Sequence, residues 1–297
     1  MSTTKVPVLL IAYRRPIETK QVLMQIKKYY PNDLYVFVDY AANDSMVEQV
    51  KDLVNDNDWA LNVHTNFQNV NLGCGLGPVE AINWVLSLNE YAVILEDDCV
   101  PSDSFFYYLE WALNYKLNDL DCYMVSGNKY SLLKTKNSAT KTKFAFTHGW
   151  GTWKRAWNGY DYNISSWNEL SKNEMKFIPY YAYRKYWIKV FNNVYLDNEK
   201  TYWDYQWQYH IWLNKGFSIQ PPINQIRNIG FNLNATHTSN INDWRVNIKS
   251  HSLSLDFKFH INNFNLINEL QNSVIELGLV SYIYKICYKI KVKFMFK

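Results

Sequence analysis

Cysteine is scarce in this chain, and long apolar runs are missing from it. The four cysteines, Cys74, Cys99, Cys122 and Cys287, are scattered, with no CxxC pair. That spacing argues against a disulfide framework and against a structural zinc site. The thiols are expected to be reduced, as in a cytosolic protein. No stretch reaches the length of a membrane-spanning helix. No secretory apolar region follows Met1, because Val6 to Ala12 is short and soon meets Arg14-Arg15. A strong charge of one sign is also lacking. The net charge of +4 does not support a basic footprint over the whole surface, so nucleic acid is not an expected partner. Three Asn-x-Ser/Thr sequons, at Asn43, Asn163 and Asn234, carry little meaning without a secretion signal. No internal repeat is visible.

What is present is a large apolar share. Hydrophobic residues make up 48% of 297 and aromatics 17%, enough for a sizeable core and against global disorder. Rings beyond the needs of a core can line grooves that hold sugars or bases, or can simply pack.

The first third alternates strands and helices. Val6 to Ala12 reads as a buried strand, with Tyr13-Arg14-Arg15-Pro16 as its exit loop. Ile17 to Tyr30 places Val22, Leu23, Ile26, Tyr29 and Tyr30 on one helical face, and Pro31-Asn32-Asp33 breaks it. Leu34 to Val38 is a second strand ending at Asp39. Ser45 and Glu48 suggest a capping box for a helix with Met46, Val47, Val50, Leu53 and Val54 inward. Ala60 to Thr65 is a weaker third strand. After Asn71-Leu72-Gly73-Cys74-Gly75-Leu76-Gly77, Pro78 is expected to open a helix through Leu88. The alternation predicts an α/β fold with a mostly parallel, doubly wound sheet.

The fourth strand, Tyr91 to Leu95, runs straight into Glu96-Asp97-Asp98-Cys99. Ligands of open α/β sheets bind beyond the carboxyl ends of the strands. Adjacent carboxylates repel one another there unless a cation joins them. Hard divalent ions take oxygen ligands and bridge carboxylates to phosphates. The run therefore predicts a metal-dependent site for a phosphorylated ligand. Tyr13 to Pro16, Asp39 and Glu96 to Asp98 all fall at strand ends and are expected on one rim.

The second half is less regular. Ser104 to Tyr115 reads as a helix and Cys122 to Ser126 as a strand. Lys134 to Lys143 reads as a polar loop, and Phe144 to His148 as a strand entering Gly149-Trp150-Gly151-Thr152-Trp153. A helix carries Trp203, Trp207, Ile211 and Trp212, ends at Gly216, and leads to a strand over Phe217 to Gln220. From about Ile261 the character changes: Phe264 to Leu279 is amphipathic, and Ser281 to Lys297 mixes lysines with aromatics and no acid. This segment reads either as a peripheral contact with an anionic membrane or as a helix docked on the domain. The organisation expected is one domain over 1–260, with a nucleotide-binding half (1–127) and an acceptor half (128–260), then a C-terminal helical extension over 261–297.

Four stretches carry a resemblance: Pro7 to Pro16, Asn71 to Gly75, Ile94 to Asp98 and Gly149 to Trp153. With them the chain resembles the GT-A-fold nucleotide-sugar glycosyltransferases, especially bacterial family-2-like transferases and the N-acetylglucosaminyltransferase I group. The resemblance covers the first two-thirds. It implies a Rossmann-like GT-A domain, Mn²⁺ or Mg²⁺, and a nucleotide-sugar donor, UDP-linked. It also implies a glycan or lipid-linked acceptor, as in surface polysaccharide synthesis at the inner face of the plasma membrane. Ala12, Tyr13, Arg14 and Asp39 would border the base and ribose, and Asn71, Leu72 and Gly73 the ribose and diphosphate. The acidic triplet corresponds to the family's DxD-type motif: Asp98 would bind metal, Asp97 the ribose or donor sugar, and Glu96 the nucleoside side. Glu-Asp-Asp here departs from Asp-x-Asp and favours a single direct carboxylate ligand.

Inverting transfer needs a carboxylate to take the acceptor proton. Asp204, alone among aromatics, is the candidate base; its other reading is an Asp that complements a helix dipole. Glu174 and Asp161 are the runners-up. Trp150 and Trp153 are candidates for the sugar pocket or for plain core. His237 is a candidate late ligand for metal or diphosphate, or a structural histidine. Arg227 and Arg245 are candidate diphosphate partners. A sugar-phosphate nucleotidyltransferase fits less well, because Tyr13 to Pro16 lacks glycine. A glycan-binding module would not need the acidic triplet.

Overall fold

The computed structural model describes residues 5–55, 58–129, 138–170, 181–199, 201–230, 248–254, 260–264, 269 and 272, without side chains for 181–183. The first third alternates as expected: β1 (Val8–Ala12), α1 (Pro16–Tyr29), β2 (Asp33–Val38), α2 (Ser45–Asn55), β3 (Asn62–Phe67), α3 (Gly73–Leu88) and β4 (Tyr91–Glu96). Then come β5 (Cys99–Pro101), α4 (Phe105–Tyr115), β6 (Cys122–Ser126), β7 (Ala139–Thr142), β8 (Trp150–Trp153) and α5 (Lys154–Trp157). The last described elements are α6 (Tyr181–Leu196), α7 (Asp204–Leu213), β9 (Phe217–Gln220), β10 (Ile226–Asn228) and β11 (Ile261–Asn262).

The molecule is α/β, with a mostly parallel sheet flanked by helices. Among the described residues the sheet runs β11-β7-β9-β6-β8-β4-β1-β2-β3. β1 pairs in parallel with both β2 and β4, and β2 with β3. β8 runs antiparallel to both β4 and β6, so β6 points the same way as β4, and β9 pairs with β6 in parallel. The carboxyl ends of β1, β2, β4, β6 and β9 therefore share one rim. β5 and β10 form a separate antiparallel pair, Cys99 opposite Asn228, directly after the acidic run.

β1, β2 and β4 are buried almost throughout, which is why they read as continuous apolar runs. α1 turns Val22, Leu23, Ile26 and Tyr29 inward. Tyr29 stacks on Phe106 of α4 (4.6 Å between centroids, 12°), and its hydroxyl donates to Glu110 at 2.6 Å.

Several expectations fail locally. Tyr30 is not part of the buried face: it is the left-handed C-cap of α1. α2 is capped by Asp44, not by a Ser45–Glu48 box. Asp44 Oδ1 accepts the N–H groups of Met46 (2.9 Å) and Val47 (3.3 Å), while Glu48 pairs with Lys51. Met46 is exposed and Leu53 only half-buried. Pro78 lies inside α3, which begins at Gly73. Residues 139–142, expected in a loop, form β7 against β9. Phe144 to His148 is not a strand. Side chains take its backbone groups instead: the Ala145 N–H donates to Gln208 Oε1 (2.7 Å), and Phe146 O accepts from Ser126 Oγ (2.8 Å). The amphipathic pattern from Phe264 and the basic segment 281–297 lie almost entirely outside the described residues.

Much of the aromatic excess is core. Trp150, Trp153, Trp207 and Trp212 are fully buried. Trp150, Trp157, Trp203 and Trp207, the last from α7, form one cluster.

Candidate active site

The rim gathers the strand ends as their directions dictate. Beyond Ala12, the last residue of β1, the Tyr13 N–H donates to Asp97 Oδ2 at 3.1 Å. Asp39, just after β2, accepts the N–H groups of Leu72 and Gly73 at 2.9 Å each, and that of Tyr40 at 2.8 Å. It thereby satisfies donors at the start of α3, where the helix dipole favours a carboxylate. Gly73 sits at φ +73°, a left-handed position that glycine occupies without strain. Asn71 Nδ2 donates to Tyr40 O (2.6 Å) and to Tyr13 Oη (3.1 Å). Arg14 reaches sideways instead, with Nε 2.6 Å from Asp44 Oδ2.

The acidic run turns from β4 into β5. Asp97 and Asp98 are buried and Glu96 is half-buried. One nitrogen, Arg15 Nη1, lies 2.7 Å from Asp98 Oδ2 and 3.2 Å from Asp97 Oδ1. Burial opposes the charge of Arg15, but the two aspartates outweigh it and hold the guanidinium more firmly protonated than usual. The acids are not fully compensated. Burial first, then the charge of Asp98, raises the affinity of Glu96 and Asp97 for protons above the usual carboxyl range. Asp98 itself is tightly held: Cys99 Sγ–H donates to Oδ1 at 3.4 Å, and the Asp98 carbonyl accepts the Ile229 N–H at 2.8 Å. Gly230 packs against its carboxylate, where a Cβ would come within 1.9 Å of Oδ2.

α7 begins near the acidic run. Asp204 is its first residue, with Oδ1 accepting its neighbour Tyr205's N–H at 3.0 Å. The charge of Asp204 is felt by Glu96, Cys74 and Tyr160. It stands at a helix N-terminus, near enough to the acidic run for its charge to add to the raised proton affinity of Glu96. Cys74 Sγ–H donates to Thr201 O at 3.5 Å, tying the first turn of α3 to the loop before α7. That loop is folded on Asp197, whose Oδ2 accepts from Thr201 N (2.9 Å) and Oγ1 (2.8 Å). Trp150 is 1% exposed, stacks on Trp203 (5.8 Å, 23°) and meets Trp207 of α7 directly (5.9 Å), so it is core beside this helix. Asp161 caps its own turn, accepting from Asn163 and Ser165. Arg227 is exposed on β10. His237, Glu174 and Arg245 lie outside the described residues.

A divalent ion suits the donor set. Buried carboxylates whose repulsion one arginine does not offset are hard oxygen donors with surplus negative charge. Among the described residues, no group of three His, Cys, Asp or Glu side chains converges to hold a metal alone. The residues fit an ion held by one or two carboxylates and completed by phosphate oxygens of a ligand.

Arg15 and Cys74 lie in stretches the sequence places at the site, Tyr13 to Pro16 and Asn71 to Gly75, but without these roles, and Gly230 escapes the sequence altogether. Arg15 leaves a faint trace, since it directly precedes Pro16 and so becomes the N-cap of α1 at the rim. Gly230 leaves none, because its meaning comes from the pairing of β10 with β5.

No protein-family model matches the chain, and no curated protein does. Among solved structures it is similar to the mannosyltransferase PcManGT from Pyrobaculum calidifontis, in complex with GDP-Man and Mn²⁺, at 17% identity and a TM-score of 0.38. The likeness covers 51% of this chain and 45% of that one, so the chain spans less than half of that protein's length.

Proposed function

We propose that the chain is a metal-dependent, inverting glycosyltransferase that moves a sugar from a nucleotide donor, UDP-linked, to a glycan or lipid-linked acceptor. The observation that carries this reading is the buried Asp97-Asp98 pair at the carboxyl end of β4. It shares a rim with Tyr13 and the Asp39-capped start of α3, and the charge of Asp204 reaches Glu96 beside it. A Mn²⁺ or Mg²⁺ ion on Asp98 would supply Lewis-acid neutralisation of charge on the leaving diphosphate. The chain's own residues do the rest. Tyr13, Tyr40 and Asn71 form a hydrogen-bonded corner beside which a nucleoside can lie. Asp97, fixed by the Tyr13 N–H, orients a sugar hydroxyl. Asp204 takes the proton of the acceptor hydroxyl, its carboxylate steadied by the start of α7. A role in surface polysaccharide synthesis at the cytoplasmic face of a membrane belongs to the same proposal.

The test is thermal stabilisation by a panel of nucleotides and nucleotide sugars with Mn²⁺, Mg²⁺ or chelator, followed by turnover. A ligand bound only by the native state raises apparent stability. A metal-dependent shift with one nucleotide sugar, lost in Asp98→Ala, is expected. Asp204→Asn should keep that shift and lose transfer by at least about a hundredfold. A folded protein that no nucleotide stabilises, or an Asp204→Asn variant with unchanged turnover, overturns the corresponding part.

A further inference from the structure

We propose that Arg15 is a built-in counter-cation that holds divalent-ion affinity low until a diphosphate arrives. The inference rests on the metal-dependent reading above. Arg15 Nη1 spans both aspartates, 2.7 Å from Asp98 Oδ2 and 3.2 Å from Asp97 Oδ1. The other Asp98 oxygen faces Cys99 Sγ at 3.4 Å, and Gly230 packs against Oδ2. Each oxygen of Asp98 thus already has a neighbour supplied by the chain.

Arg15 is held in this position from below. As the N-cap of α1, its carbonyl accepts the Thr19 N–H at 2.8 Å and the Thr19 hydroxyl at 2.6 Å. Its Cα is therefore fixed at the rim, and its side chain is only 21% exposed. A divalent ion on Asp98 has to approach this cation at close range, in surroundings that screen charge poorly. Alone, the ion either displaces the guanidinium or tolerates its repulsion, and both weaken binding. A diphosphate brings negative charge that offsets both cations at once. Ion and diphosphate should therefore bind with positive coupling, and coupling is reciprocal.

The experiment measures protein-bound Mn²⁺ by water-proton relaxation enhancement on the full chain, with and without inorganic pyrophosphate. Asp98→Ala is the blank for Mn²⁺-pyrophosphate in solution. Wild type should bind Mn²⁺ weakly alone and about tenfold or more tightly with pyrophosphate. Arg15→Gln should bind Mn²⁺ alone about tenfold more tightly than wild type and lose most of the coupling. Arg15→Lys, which keeps the charge, should retain it. Unchanged or weaker Mn²⁺ binding by a folded Arg15→Gln overturns the inference. So does equal wild-type affinity with and without pyrophosphate, which needs no variant to fold. Wild type indistinguishable from Asp98→Ala under both conditions would instead overturn the metal-dependent reading itself.

Discussion

Gly230 carries no chemistry, yet it bounds the position of Asp98. A Cβ there would lie 1.9 Å from Oδ2, 2.7 Å from Cγ and 2.9 Å from Cβ of Asp98, so one of the two groups must move. Gly230→Ala is expected to displace the carboxylate and weaken Mn²⁺ binding by roughly 10- to 100-fold, the range for residues that orient a metal ligand. Relaxation enhancement checks this, and unchanged Mn²⁺ affinity would show that the segment gives way instead. The same contrast explains what was legible among single residues. Asp97 and Asp98 stand out in sequence because acids directly after an apolar strand have few structural reasons to be there. Asp39 stands out because it ends a strand. Its partners, the Leu72 and Gly73 N–H groups, could be guessed only as a glycine-rich loop. Gly230 and Cys74 were unreadable because their partners come from distant segments: the carboxylate of Asp98 for one, the carbonyl of Thr201 for the other.

At the scale of elements, Asp44 decides where α2 begins. Its Oδ1 caps Met46 and Val47, and its Oδ2 meets Arg14, which is 53% exposed. The exposed ion pair adds little, so the cap sets the cost. Asp44→Ala should lower stability by about 1 kcal/mol, whereas Ser45→Ala should be nearly silent. Denaturant unfolding of both variants checks the assignment; the reverse ranking would restore the Ser45–Glu48 box. Element legibility follows burial. β1, β2 and β4 are covered on both faces and announce themselves as apolar runs. β3, at the edge of the sheet, has only half-buried or exposed residues and runs over Asn62–Phe67 rather than the Ala60 to Thr65 its sequence suggests. β7 reads Ala-Thr-Lys-Thr, with no apolar period, and is a strand only because β9 offers it a ladder. α3 begins in glycines that would ordinarily argue against a helix. Asp39, on another element, caps that turn, and a single-segment reading has no access to it.

At the scale of the whole molecule, the parallel half supplies the acids and the aromatic half supplies α7 with Asp204, whose charge reaches Glu96. α7 carries Asp204 at its start and contributes Trp207 to the tryptophan cluster. His210, near the other end of α7, belongs to that packing. Its ring stacks on Trp207 (5.4 Å, 14°) and meets Tyr123 edge-on (5.6 Å). Its Nε2 lies 3.1 Å from Ala156 O, as a neutral ring donating one hydrogen would. Burial lowers its proton affinity below the ordinary value, while the Ala156 carbonyl and the charge of Asp161 pull weakly the other way. A histidine with a depressed folded-state pKa costs nothing at neutral pH, where it is uncharged in both states. As pH falls through the unfolded value of about 6.5, the unfolded chain takes up the proton first, and stability is lost on the acid side. Wild-type Tm should therefore fall more steeply between about pH 7 and pH 5 than that of His210→Phe, which keeps a ring on Trp207 and cannot titrate. The folded site should be spared over that range, because His210 stays neutral in the native protein until pH falls below its depressed value. Asp204-dependent transfer by the folded fraction should therefore not decline together with Tm. Parallel Tm profiles for the two proteins would place the acid sensitivity in other groups.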